Sequence, residues 1–257
     1  MKLAHRHWLV IAGGLAFLVF LLAGVPARVA VRWLAPPAVQ FTDLSGTLWR
    51  GSVTNAVAGP LRLGPLSWDL SPLALLTGRV RLDIDARLGA GQARGRVDLG
   101  AGGRFACSRC SYEGPAASLR GLVPSLQGLA GQLRLDFTSI ELRDRWPTRV
   151  VGTVALTDVP LRAPGSPPLP GVPTTSFNAS VTADPVPEDG QIEAMLQDAG
   201  GPLQVTGRLV MTPPGNYQLD ARIKARPDAP AQLVNALATL GPRGPDGSTD
   251  IGMSGSF

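Results

Sequence analysis

Residues 79–88 read Arg-Val-Arg-Leu-Asp-Ile-Asp-Ala-Arg-Leu, and their charged and apolar side chains alternate one by one. Successive side chains of a β-strand point to opposite faces, so the apolar residues from Val80 to Leu88 share one face and the charged residues share the other. A strand of this kind has one face against a core and one face in water. The segment therefore predicts a two-faced antiparallel sheet.

The same alternation recurs along the chain, in residues 93–99, 133–137, 177–183, 203–211 and 217–225. We expect about ten strands in all, separated by turns rich in Gly, Pro, Asn and Asp. The phase of the alternation slips between Phe137 and Ile140, which predicts a β-bulge near Thr138 and Ser139. A single curved antiparallel sheet and a sandwich of two sheets both give this periodicity, so the sequence leaves both open.

The sequence predicts only two or three short helices in a mainly β protein. Residues 71–78 begin with an N-cap serine followed by Pro72 and end at Gly78, which is typical of a short helix. Asp228 to Leu240 carries apolar residues at helical spacing and is followed by Gly241. A third helical turn is predicted within Ser118 to Leu129.

Trp8 to Val25 forms a stretch of 18 residues without a charge. At 1.5 Å per residue it reaches about 27 Å, which is enough for a transmembrane helix. A signal peptide cut near Val25-Pro26-Ala27 is the alternative, but the stretch is long for one. We expect residues 1–27 to be a cytoplasmic tail and transmembrane anchor and residues 28–257 to be a β-rich domain on the other side, with a joint at the proline-rich segment 164–173.

The composition excludes most enzyme classes. The two histidines, His5 and His7, both lie in the N-terminal tail. A Ser-His-Asp triad, a Cys-His dyad and a histidine-ligated zinc site are therefore not available to the domain. The formal net charge is +5, but the basic residues are spread evenly and aromatic residues make up only 5% of the chain. We expect a protein that is not an enzyme and has no cofactor, no metal and no nucleic-acid partner.

Two groups of residues are candidates for a functional site. Cys107 and Cys110 form a C-x-x-C motif with no second pair for zinc; a structural disulfide that fixes a turn is the favoured interpretation, with free thiols as the alternative. Asp83 and Asp85 are about 7 Å apart on one strand face, a spacing that overlaps that of inverting glycosidases. Because they alternate with arginines, cross-strand ion pairing is favoured over catalysis.

A more specific signal follows the apolar stretch. The chain reads Val31-Arg-Trp-Leu-Ala-Pro36, then G-T-x-W-x-G from residue 46 to residue 51, then W-x-x-x-P-x-x-L-x-x-G from residue 68 to residue 78. This order resembles the type II secretion system protein N family, and the similarity extends weakly over nearly the whole chain. The two cysteines are not part of that pattern. The residues that carry the resemblance are Gly46, Thr47, Trp49, Gly51, Trp68, Pro72, Leu75 and Gly78.

The resemblance implies an accessory or assembly component of the machine that exports folded proteins across the outer membrane of Gram-negative bacteria. It implies a single-pass inner-membrane protein with a periplasmic, AsmA-like β domain. The implied partners are other inner-membrane subunits of the machine and the outer-membrane channel; a lipid-binding or lipid-handling role is the alternative. Trp49, Trp68 and Trp146 are candidate contact residues, with core packing as the simpler interpretation.

The predicted topology can be tested with reporter fusions after Phe257. A reporter enzyme that is active only in the periplasm should be active there, and one that is active only in the cytoplasm should not. The reverse pattern would exclude both the localisation and the implied function.

Overall fold

The structure is a computed structural model, and it describes residues 24–29, 39–58, 61–75, 77–100, 102–121, 129–144, 146–161, 172–238 and 241–256. Residues 8–23 of the predicted anchor lie outside these ranges, and so does most of the predicted joint at 164–173. Within the described ranges, no helix is both long and apolar enough to cross a membrane.

All fifteen strands of the described residues belong to one antiparallel sheet. From β5 onward each strand pairs with its neighbour in sequence, so the sheet is a long meander, while β2 and β3 form a hairpin that joins it through β5. The single sheet is confirmed and the sandwich is wrong; the expected number of about ten strands was too low. The strands are β1 (Val39–Thr42), β2 (Ser45–Gly46), β3 (Arg50–Val53), β4 (Asn55–Ala58), β5 (Leu61–Leu70), β6 (Arg79–Leu88), β7 (Gly91–Gly100), β8 (Arg104–Pro115), β9 (Gln132–Arg143), β10 (Trp146–Val159), β11 (Thr175–Ala183), β12 (Ile192–Asp198), β13 (Leu203–Thr212), β14 (Asn216–Ala225) and β15 (Ser248–Ser256).

The helices are short and lie in the connections between strands. Helix α1 (Pro72–Leu75) joins β5 to β6, a 3₁₀ helix (Ala116–Leu119) follows β8, and α2 (Ala231–Ala238) joins β14 to β15. Residues 27–29, ahead of β1, are also helical. The prediction of few and short helices is confirmed for the part of the chain that the structure describes.

The core consists of three clusters along one face of the sheet. The first surrounds Tyr112 and is covered by Ala116 and Leu119 of the 3₁₀ helix. The second surrounds Ile192, and the third lies under Leu233 and Leu237 of α2. The helices therefore cover only parts of the apolar face, since the structure places no second sheet over the described strands.

Aromatic rings lying across glycines cover another part of that face. Trp68 is opposite Gly51, Phe137 is opposite Gly152 and Tyr217 is opposite Gly255 in directly paired strands. A side chain on Gly255 would begin 2.8 Å from the Tyr217 hydroxyl, and one on Gly51 would begin 2.6 Å from Trp68 Cη2. Because glycine has no side chain, each ring can lie flat on the neighbouring strand and shield the backbone there.

The predicted bulge is confirmed at Thr138. Ser139 pairs with Val151 and Phe137 pairs with Gly152, so β9 has one residue more than β10 at this point. Strand β8 has an extra residue in the same place, because Arg94 and Arg96 of β7 pair with Ser111 and Ser108. The two bulged strands remain in register with each other.

Gly152→Ala should destabilise the protein. Its β-carbon would overlap the Phe137 ring and lie 2.7 Å from the Asp136 carbonyl oxygen, so either the ring or the β9 backbone must move. Overpacking of this kind typically costs about 1–3 kcal/mol, measured as the loss of unfolding free energy in urea.

Gly252→Ala is the matched control, because its β-carbon would have nothing closer than the Asp220 carboxylate at 3.6 Å. We expect it to be neutral or to stabilise by up to about 1 kcal/mol, since it restricts the unfolded chain. Equal effects of the two substitutions on the unfolding free energy would show that the packing of the Phe137 ring does not require a glycine at position 152.

Candidate functional site

The first half of the sequence motif forms the β2–β3 hairpin. Gly46 has a φ of 89°, a left-handed conformation that favours glycine, and a side chain there would lie 2.9 Å from the Gly51 α-carbon. The Thr47 N–H donates to the Arg50 carbonyl at 2.7 Å, and the Arg50 N–H donates to the Thr47 hydroxyl at 3.2 Å. Gly46, Thr47 and Gly51 therefore serve the turn and its packing.

Trp68 joins the two halves of the motif. Its ring lies over Gly51, and its indole Nε1 donates to the Leu48 carbonyl at 3.1 Å. The half-buried Trp49 contributes its backbone carbonyl, which accepts from the Leu70 N–H at 2.6 Å. The hairpin is thereby fastened to β5, and Trp68 has a packing role that needs no partner protein.

The second half of the motif turns the chain from β5 into β6. Pro72 begins α1, and the Gly78 N–H closes it by donating to the Leu75 carbonyl at 3.0 Å. Gly78 has a φ of 69°, as expected for a helix-terminating glycine. The Thr77 hydroxyl donates to the Ala74 carbonyl at 2.8 Å. All eight motif residues thus lie in one corner of the molecule.

The last residue of the apolar stretch and the residues after it dock on this same corner. The Leu48 N–H donates to the Val25 carbonyl at 2.9 Å, and Pro26 forms an antiparallel bridge with Thr47. Ala27 is fully buried. The motif corner therefore holds the start of the domain at the point where the predicted anchor ends.

Cys107 and Cys110 both belong to β8, and their sulfurs are bonded in the structure. Two residues three apart on a regular strand point to opposite faces, but the bulge at Arg109 (φ 51°) reverses the alternation and brings both sulfurs to one face. They lie over Gly95, whose β-carbon would be 2.7 Å from Cys110 Sγ and 3.3 Å from Cys107 Sγ. The expected position in a turn was wrong, because the disulfide spans a bulge inside a strand.

Asp83 and Asp85 point away from the core and pair with arginines of β7. Arg96 binds Asp83 through two hydrogen bonds of 2.8 and 3.0 Å, and Arg94 binds Asp85 at 2.8 Å. Hydrogen bonds from Gln92 and Arg94 lower the pKa of Asp85, so both neighbours favour its charged form. The two carboxylates border an open polar groove of about 740 Å³, and the ion pairs expected from the sequence are present.

Trp146, the third tryptophan considered, also has an internal role. Its Nε1 donates to the Gly190 carbonyl at 2.9 Å, which ties the start of β10 to the connection between β11 and β12. Its ring packs on the second core cluster. None of the three tryptophans is a large exposed side chain.

The alternation of apolar and polar residues in the sequence did not reveal that β15 is an open edge strand. The Ser248 N–H donates to Asp246 and its carbonyl accepts from Gly244, so the backbone of Ser248 points away from β14. Along a strand every second residue points the same way, which places the N–H and C=O groups of Gly252, Ser254 and Ser256 on the outer edge. Within the described chain no strand pairs with them, and residues 252–256 are exposed.

These features define a class of protein: a β domain made of a single sheet. Its family-motif residues form one corner, two neighbouring strands are bulged, and its last described strand is an open edge. Among its described residues no three His, Cys, Asp or Glu side chains lie together as metal ligands would. The sequence profile described as type II secretion system protein N matches residues 37–252. The chain belongs to this family, which confirms the resemblance seen in the motif.

Characterised relatives agree with that assignment. The chain is 29% identical over 243 residues to the type II secretion system protein N of Aeromonas hydrophila, covering 90% of each chain. It is 25% identical over 269 residues to that of Pectobacterium carotovorum subsp. carotovorum, covering 99% of each. It is 28% identical over 238 residues to that of Vibrio cholerae serotype O1, covering 88% of this chain and 90% of the relative. No solved structure is significantly similar to this fold.

Loss of the disulfide should destabilise the sheet moderately. The double variant Cys107→Ser with Cys110→Ser opens a very short loop, for which loop-closure entropy gives about 2 kcal/mol of unfolding free energy. The difference in unfolding free energy between the oxidised wild type and the double variant, measured in urea, tests this value.

Wild-type protein treated with a reducing agent should match the double variant, and the variant itself should not respond to reduction. Equal stability of oxidised wild type and variant would show that the bulge does not need the bond.

Proposed function

We propose that this protein is an accessory, non-enzymatic assembly subunit of the type II secretion system that supports export of folded proteins across the outer membrane. In this proposal residues 8–25 anchor it in the inner membrane, and the β domain lies in the periplasm. Membership of the protein N family supports the assignment to the secretion system. Its contacts would be with other inner-membrane subunits and with the outer-membrane channel.

The open edge of β15 is the observation that carries the assembly role. An edge strand offers a row of unpaired N–H and C=O groups, and proteins usually protect such edges with lysines, prolines or a covering segment. Residues 251–256 read Ile-Gly-Met-Ser-Gly-Ser and contain no lysine, arginine or proline. Among the residues that the structure describes, only the beginning of β15 is covered, by the bridge between Arg243 and Thr249.

An edge of this kind fits an extended segment of a partner subunit. A strand added beside β15 would bond to Gly252, Ser254 and Ser256 and would extend the meander by one strand. Met253, which is 55% exposed, and Ile251 lie on the apolar face of β15 and would supply specificity through their side chains. Backbone pairing supplies the affinity, so a partner needs an accessible strand more than a particular sequence.

The polar groove supports a role without catalysis. Its two candidate carboxylates are each held by an arginine, and both are about half exposed, at 48% for Asp83 and 43% for Asp85. A general acid usually needs a raised pKa, whereas the neighbours of Asp85 lower its pKa. Their arrangement is that of surface ion pairs, which contribute about 0–1 kcal/mol each.

Ser254→Pro tests the edge directly. Proline removes the outward N–H of residue 254 and breaks no bond to β14, so the fold should remain while strand addition is blocked. In a strain that lacks its own protein N, we expect the variant to leave exoprotein in the periplasm where wild type releases it to the medium.

Ser254→Ala is the matched control, because it keeps the N–H and removes only the hydroxyl; it should secrete normally. Both variants must be equally abundant and resist proteolysis equally. Normal secretion by Ser254→Pro, in a strain whose secretion depends on the wild-type protein, would exclude β15 as the assembly edge.

The pair Asp83→Asn and Asp85→Asn tests for hidden catalysis in the same strain. Secretion should remain close to wild type, because the two changes remove only exposed ion pairs. Loss of secretion by a stable, abundant double variant would favour a hydrolase and contradict the assembly role.

A lipid-handling role is the second candidate, and the incomplete cover of the apolar face favours it. Leu99 is 44% exposed and Met253 is 55% exposed, and both belong to that face. Acyl chains copurifying with the protein in a native mass spectrum would support this role. So would a leaky outer membrane with normal secretion in a strain that lacks the protein, because that combination separates lipid handling from export.

A further inference from the structure

Two leucines of helix α1 are exposed at the motif corner. Leu73 is 74% exposed and Leu75 is 39% exposed. Ala74 between them is buried and holds the helix in place. Two exposed leucines on one short helix form a small apolar patch, and apolar patches mark contacts with a protein or a membrane when other groups beside them fit the same partner.

The corner lies next to the end of the apolar stretch. Val25, the last residue of that stretch, bonds to Leu48 in the β2–β3 hairpin, and the following residue, Trp49, bonds to Leu70 at the end of β5. Helix α1 begins two residues later. If residues 8–25 span the membrane, these bonds keep α1 close to the bilayer surface from which the chain emerges.

Two arginines that have no acidic partner among the described residues lie beside the same helix. Arg79 pairs with Gly100, which in turn pairs with Arg104, so the two arginines are about 10 Å apart across one glycine. The Arg104 side chain leans over Gly100, with its Cβ and Cδ 3.6 and 3.9 Å from where a β-carbon would be. In the described chain neither guanidinium has an ion pair, whereas the nearby Asp98 and Glu141 are already paired with Arg81 and Arg149.

An open cavity of about 440 Å³ connects these groups. It is lined by Arg79 and Arg104, by the turn at Thr77 and Gly78, and by the two ion-paired acidic residues Asp98 and Glu141, among others. Arg79 and Arg104 lie on either side of Gly100, and guanidinium groups without an ion pair offer hydrogen-bond donors and positive charge to an anion. Because Asp98 and Glu141 are already engaged by Arg81 and Arg149, a phosphate of a lipid headgroup would supply the negative charge and acceptor oxygens for Arg79 and Arg104.

We propose that the motif corner binds the bilayer surface, with Leu73 and Leu75 in the interfacial layer and an anionic phospholipid headgroup between Arg79 and Arg104. The inference rests on the proposed anchor at residues 8–25. The contact would fix how the β domain stands on the membrane, and therefore where the β15 edge is presented. Basic residues flanking apolar side chains are the usual composition of such surfaces.

The test uses the full chain in lipid nanodiscs with an environment-sensitive fluorophore on Leu73→Cys. Nanodiscs contain phosphatidylcholine alone or mixed with phosphatidylglycerol, each with or without lipids carrying a nitroxide quencher. Unmutated protein taken through the same labelling measures any reaction at Cys107 and Cys110. A label on Met195→Cys, 51% exposed on β12, serves as the control position.

We expect the label at position 73 to shift to shorter wavelength and to be quenched in nanodiscs that contain phosphatidylglycerol, while the label at position 195 is not. Replacing both Arg79 and Arg104 with Ser should lower the contact equilibrium constant about 30-fold, by the usual effect of two basic residues at an anionic surface. Arg87→Ser with Arg120→Ser removes the same charge at the opposite end of the strands and should have little effect.

Equal quenching at positions 73 and 195, or quenching that ignores phosphatidylglycerol and the Arg79 and Arg104 changes, would overturn the proposal. Failure of the anchor would look different, because the full chain would then not copurify with the nanodisc. Failure of the assembly role would appear only in the secretion assay.

Discussion

A single sheet with one apolar face is the constraint on which the rest of this structure depends. A sandwich covers such a face with a second sheet, whereas this meander must cover it with its own side chains and short helices. It does so in three clusters, under the 3₁₀ helix, around Ile192 and under α2, and elsewhere along the face with aromatic rings laid across glycines. Glycine, normally unfavourable within a strand, is suited to these positions because the ring needs the space that a side chain would fill.

The paired bulges in β8 and β9 show how a local irregularity can be stabilised from the apolar side. An extra residue in each strand reverses the alternation beyond it, so Cys107 and Cys110 come to the same face and Phe137 and Ile140 both face inward. The disulfide closes over Gly95 and joins the two sides of the bulge. Bulges also increase local twist, which an open sheet of this length must accommodate.

The family motif builds the structure around which the proposed interactions are arranged. Its glycines and tryptophans hold the β2–β3 hairpin on β5 and terminate α1, and they leave few of their own polar groups for a partner. The surfaces proposed for binding are the β15 edge for a partner strand and, for a membrane, the exposed leucines of the motif corner together with two arginines that have no ion pair among the described residues. The motif residues stabilise the fold, whereas the proposed binding surfaces contribute little to it. Rigid packing at the corner keeps the exposed leucines and arginines in fixed positions.

The sequence by itself determined what depends on neighbouring residues. The alternation of residues predicted the two faces of β6 and the carboxylates that pair with β7. The slip in its phase predicted the bulge at Thr138. Ser71, Pro72 and Gly78 predicted the short helix α1. Strand β5 was not predicted, because Pro65 lies at a register shift within it, and β8 was hidden because its bulge breaks the alternation. The choice of one sheet over two, the facing of both cysteines to one side, and the exposure of β15 as an edge depend on which strands pair. Pairing joins residues far apart in the chain, so only the tertiary structure decided these features.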